Sequence, residues 1–157
     1  MAELHPPVVH FAIALTIAGV VFEILAHAFN KKELEHAGFY AFLTGVAFTW
    51  LAWFTGRAAE ELVEDAVEGT PAYRVLEFHE TLGTILLVYF TALAVFRLYL
   101  KVKESKTLRV LFLTLGVLGA IFMSLQGRLG GILVYQYGVG VKAVQLEKPA
   151  EEKEEHE

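Results

Sequence analysis

Four long apolar runs divide this chain, at about Pro7–Phe29, Ala37–Thr55, Leu82–Leu100 and Leu108–Leu125. A helix needs roughly 20 predominantly apolar residues to cross a hydrocarbon core of ~30 Å, and each run meets or nearly meets that length. The apolar positions are not confined to one stripe, since Phe39–Phe54 and Ile85–Phe96 are apolar around the whole helix circumference. A water-soluble bundle would keep a polar outer face. The pattern therefore predicts an all-α fold, a four-helix transmembrane bundle running antiparallel, up-down-up-down.

Polar punctuation sets the ends. His5-Pro6-Pro7 starts the first helix, where the N–H that proline lacks would be unpaired anyway. That helix runs to about Asn30, and the turn Lys31–Glu35 leads to the second. The second continues past Gly56 into water, because Arg57–Val67 alternates Ala, Leu and Val with Glu at helical spacing. Glu68-Gly69-Thr70-Pro71 reads as a turn, with Thr70 as N-cap and Pro71 opening a third helix that ends around Lys103. The link Glu104–Thr107 is so short that helices three and four must be antiparallel neighbours. Helix four is expected to end near Gln126-Gly127, and the Gly-rich tract 127–140 suits tight turns at the membrane interface.

The chain has 157 residues, enough for one domain, with 55% apolar residues and a mean hydropathy of +0.49. Residues 1–146 read as the transmembrane domain and 147–157 as a disordered acidic tail. The absence of cysteine excludes disulfides, iron–sulfur clusters, thiolate metal sites and covalent haem attachment. The net charge of −5 comes largely from Glu60–Glu68 and the tail, and nucleic acid is not an expected partner. Met1–Pro7 carries no Lys or Arg and no A-x-A site follows, so the first span is expected to stay in the mature protein.

Lys31 and Lys32 lie in the first link, and Arg97, Lys101, Lys103, Lys106 and Arg109 flank the last. Arg57, Arg74, Arg128, Lys142, Lys148 and Lys153 fall on the other side, amid many acidic residues. The sharper basic clusters in the tight links predict a multi-pass inner-membrane protein with both termini extracytoplasmic.

Ionisable side chains within spans are costly, so each is a functional candidate. His10 lies just inside the first run and His79 just before the third. Odd-numbered spans start on the same face, so the two imidazoles are expected at similar depth, facing one another across the interior. That geometry suits a haem b with two axial histidines as its metal ligands. Ala14 and Gly83 lie four residues after His10 and His79 on the same faces, leaving room for a macrocycle edge. Arg57, Arg74 and Arg128 could pair with propionates. The alternatives for the pair are another metal or ligand, or interfacial histidines with a structural role. His5 could cap the site or ligate, or be a solvated terminal residue. Glu23 and His27, four residues apart, share a helix face, with His36 close by in sequence. They could relay protons, bind a quinone head group, or form a hydrogen bond that steadies the bundle. Paired Glu-x-x-His motifs, His-Glu-x-x-His, a phosphate loop and Gly-x-Ser-x-Gly are all missing.

Three stretches carry a resemblance. His5-Pro6-Pro7-Val8-Val9-His10-Phe11-Ala12-Ile13-Ala14-Leu15 resembles an opening HPxxVHFPIAL motif. His79-Glu80-Thr81-Leu82-Gly83 resembles a third-helix histidine followed by glycine. Gly127–Val141, with Leu-Gly-Gly-Ile-Leu-Val-Tyr-Gln-Tyr-Gly-Val-Gly-Val inside it, resembles a closing GGxLVYxHGVGV motif. Together, over roughly residues 4–142, they resemble the DUF2231 family of small four-span prokaryotic membrane proteins. The resemblance supplies no established activity. Some relatives are joined to Rieske-type or cytochrome-like domains, which implies a respiratory redox setting. Ala12 stands where proline is frequent, and Tyr137 stands where histidine is expected. A tyrosine there can ligate ferric haem or simply hydrogen-bond.

The sequence thus points to a cytochrome b-like membrane electron carrier rather than an enzyme with a substrate. Its expected partners are the lipid bilayer, a quinone, a soluble or membrane redox protein and a second copy in a homodimer. The competing readings are a small proton or ion transporter using Glu23, His27 and His10, and a cofactor-free anchor subunit of a respiratory complex.

Overall fold

The computed structural model describes residues 2–103 and 105–141. The expected acidic tail 147–157, and residues 142–146 before it, lie outside the described residues. A short 3-10 turn, Ala2–Leu4, precedes α1 (His5–Phe29). Then come α2 (Lys32–Glu60), a single turn α3 (Glu64–Val67), α4 (Pro71–Val102) and α5 (Lys106–Tyr135). α1, α2, α4 and α5 are the four helices long and apolar enough to cross a membrane. Their exteriors carry Phe11, Ile85, Val88, Val95 and Ile121 in exposed positions. Apolar surface on that scale belongs against acyl chains, so the protein is a multi-pass membrane protein.

Helix ends follow the sequence signals only in part: α2 begins at Lys32, inside the expected turn 31–35, and stops at Glu60, so that the expected continuation over Arg57–Val67 is broken and resumes as α3. Asn30 ends α1 in the left-handed conformation (φ 52°, ψ 44°), and the Asn30 and Lys31 N–H groups both donate to the Ala26 carbonyl. Ser105 caps α5 by accepting from the Leu108 N–H. Thr70 occupies the N-cap position of α4, but its hydroxyl donates back to the Val67 carbonyl at 2.6 Å instead of capping. The larger difference is α5, which runs through Gly127, Gly130 and Gly131 to Tyr135 rather than stopping at Gln126. In a membrane every backbone group must be satisfied internally, and the helix ladder does this best. Two of these glycines serve close packing: a Cβ at Gly127 would lie 3.0 Å from Ile13, and one at Gly130 would lie 3.4 Å from the His79 ring. The turns come later, at Gly138 and Gly140, both with positive φ.

α1 packs on α2 and α5, and α4 packs on the same two helices, so α1 and α4 stand on the bundle diagonal. The α1–α2 crossing is the tightest. A Cβ at Gly19 would lie 2.5 Å from the Phe42 backbone nitrogen, and one at Gly45 would lie 2.5 Å from that of Thr16. Small residues let two backbones approach and gain dispersion contacts that lipid cannot match. The centre is aromatic: Phe42 meets Phe112 edge-to-face at 5.6 Å and Phe90 at 6.2 Å. This plug separates a polar cluster near the N-terminal end of α1 from another near its C-terminal end.

Candidate functional site

The first cluster draws on all four spanning helices. His5 on α1 sets its Nδ1 3.2 Å from the Thr55 hydroxyl on α2. That hydroxyl already donates to the Leu51 carbonyl, so it accepts from His5, and the His5 Nε2 keeps its lone pair. The His5 ring lies against Gly56, where a Cβ would stand 3.0 Å away. His79 on α4 is half-buried at the same end of the bundle, where its neighbour Glu80 pairs with Arg57, two residues after Thr55. Gln126 on α5 donates its amide to the His79 carbonyl at 2.9 Å, and the same nitrogen lies 3.2 Å from the His79 Nε2. Gly83 leaves room for that amide. The His79 Nδ1 and the Gln126 Oε1 remain buried without a hydrogen-bond partner among the described residues.

The expected pairing of His10 with His79 is corrected here. His10 is exposed, and its Nδ1 bonds the Pro6 carbonyl one turn back at 2.6 Å. Ala14, on the same face, is also exposed. Five residues separate His5 from His10, nearly one and a half helical turns, so the two rings cannot share a face, and the interior position belongs to His5. Arg57 binds Glu60 and Glu80, Arg74 and Arg128 are exposed, and Tyr137 is exposed beyond the end of α5.

The second cluster corrects the Glu23–His27 reading. Glu23 is fully buried and accepts from the Arg97 Nε at 2.6 Å, while His27 is exposed. The Arg97 Nη2 reaches the Glu35 Oε1 at 3.2 Å, and the Arg109 Nη2 reaches the same oxygen at 2.7 Å. The Arg109 Nη1 also stands 3.6 Å from the Glu23 Oε2. Two carboxylates and two guanidiniums thus alternate across α1, α2, α4 and α5. Glu23 is therefore held by a guanidinium and not by a nearby imidazole: its Oε1 accepts from Arg97, while its Oε2, 3.6 Å from Arg109, has no hydrogen-bond partner among the described residues. His36 lies exposed beside this network, on the rim of a cavity that Arg97 and Arg109 also line.

Sequence reasoning missed Arg97, Arg109, Glu35 and Gln126. Arg97 groups with the link charges by sequence position, yet it lies inside the Leu82–Leu100 run. Glu23 lies seven residues before Asn30, and Arg97 lies six before Lys103, so the two helix ends already set them at matching depth. Gln126 gave no comparable signal, because an amide just beyond an apolar run is ordinary.

The family described as "Predicted membrane protein (DUF2231)" matches residues 2–143. Neither a curated protein nor a solved structure matches the chain.

Proposed function

The chain belongs to the DUF2231 family, and from that premise we propose that it is a membrane electron carrier of the cytochrome b kind, with the haem held by His5 and His79. The observation that carries this reading is the placement of both half-buried imidazoles at the same end of the bundle, on helices across its diagonal. The donor set suits the group. The His5 Nε2 keeps a lone pair, the His79 Nε2 would offer one to iron once released from the Gln126 amide, and glycines stand beside both rings at Gly56 and Gly130. A bound haem would supply one-electron chemistry. The protein's part is to orient the rings, Thr55 fixing the His5 tautomer and Gln126 holding the His79 ring against α5. The lysines in the tight links support an inner-membrane setting with this end extracytoplasmic, within reach of a soluble redox partner.

Expression with haem supply and purification in a mild detergent tests the reading. The expected product has a Soret band and reducible α and β bands. His5→Ala and His79→Ala should each abolish them, and His10→Ala should leave them intact. A folded but colourless protein, or bands that survive both substitutions, would sink the assignment.

A further inference from the structure

The end of the bundle opposite His5 holds a cavity of about 280 Å³, just below the ~300 Å³ at which sites for whole drug-sized ligands begin. Lys32, Arg97, Lys101 and Arg109 line it, together with His36 and Glu35. The permanent cations outnumber the carboxylates of Glu35 and the adjoining Glu23 by four to two. Arg97 and Arg109 balance those two carboxylates, and Lys32 and Lys101 leave the cavity wall with an excess of positive charge.

Two further observations mark it as a ligand site. Arg97 is 1% exposed, and its Nη1 has no hydrogen-bond partner among the described residues, although its Nε and Nη2 are both engaged. An unmade charge-assisted bond at a buried guanidinium is expensive and calls for an occupant. α2 also begins here, at Lys32, with no side-chain cap from Lys31. The positive end of a 29-residue helix and its free N–H groups therefore lie at the cavity mouth. Lys101 is held in place by stacking its ammonium 3.7 Å over the Phe39 ring.

We propose that this cavity binds a phosphate group, with Arg97, Arg109, Lys101 and the N-terminus of α2 as its donors. The phosphate can belong to the headgroup of an anionic phospholipid or to a free anion. Both carry the same chemistry, and the cavity lies at a helix end where either can reach it.

The test follows thermal unfolding of the purified full chain in a non-ionic detergent. The probes are dihexanoyl-phosphatidylglycerol, dihexanoyl-phosphatidylcholine and inorganic phosphate, each titrated at fixed ionic strength. A saturable rise in Tm with phosphatidylglycerol alone identifies a lipid headgroup, and a rise with inorganic phosphate identifies a soluble anion. In either case Lys32→Gln/Lys101→Gln should weaken the half-saturating concentration by about tenfold or more, consistent with losing charged contacts. These two lysines stand outside the Glu23–Arg97 network, so the variant is expected to fold. No rise with any probe, an equal rise with phosphatidylcholine, or an unchanged response in the double variant overturns the proposal.

Discussion

The Glu23 carboxylate and the Arg97 guanidinium meet at 2.6 Å across the bundle diagonal, both withdrawn from solvent. α1 and α4 each pack mainly on α2 and α5, so this bond joins two helices that otherwise touch through intermediaries. Glu35 and Arg109 extend it to the other pair of helices. Removing one member leaves a charge in a low-dielectric interior with its partner gone, which typically costs about 3–5 kcal/mol. Glu23→Gln and Arg97→Gln should each lower stability by that order, measured by denaturation in detergent. The double variant should lose much less than the sum of the two, because no uncompensated charge remains at the pair. Additive losses would show that the two side chains are not coupled.

Glycines that look alike in sequence should respond oppositely to alanine. Gly19→Ala places a Cβ on the α2 backbone and should cost about 1–3 kcal/mol, in the range of overpacked sites. Gly131→Ala meets nothing within 4 Å in the middle of a helical segment, and should gain up to about 1 kcal/mol from helix propensity. Midpoint shifts of opposite sign, read on the same preparation, check both.

Asn30 holds a left-handed conformation that few side chains tolerate. Asn30→Gly should be neutral or slightly stabilising. Asn30→Val should lose about 1–2 kcal/mol, because a β-branched residue resists positive φ. Equal stability of the two variants in a chemical-denaturation series would show that the cap is not strained.

Trp50 is 42% exposed on the outer face of α2, and its indole N–H donates to Thr91. In vesicles of lipids brominated along the acyl chains, fluorescence from a Trp53→Phe variant should be strongly quenched, since bromine quenches by contact. Unquenched emission would mean that protein or water, rather than lipid, covers that face.

The bundle itself was legible because span length and all-round apolarity follow directly from the bilayer as solvent. The end of α5 was not, because glycine speaks for a turn and for close packing alike, and only neighbours such as Ile13 and His79 decide between them. The histidine pair was half legible. Matching depth along the chain pointed to His79 and to the start of α1, but rotation about the helix axis decides between His5 and His10. Prolines at the first turn obscured that phase, since they break the pattern from which it is read. Glu23 stands out as an intramembrane acid, but the imidazole nearest in sequence, His27, is not its partner. Arg97, contributed by a distant helix, fills that place in space.

Arg97 follows Glu23 by 74 positions in the chain. A ribosome adding roughly 5–20 residues per second needs about 4–15 seconds to bridge that interval. Throughout it the nascent first span carries an acid whose counter-charge has not yet been made. Release of that segment sideways into the lipid is accordingly unfavourable until the third span emerges. Sheltering of the opening helix until the third span is made would spare the chain that cost.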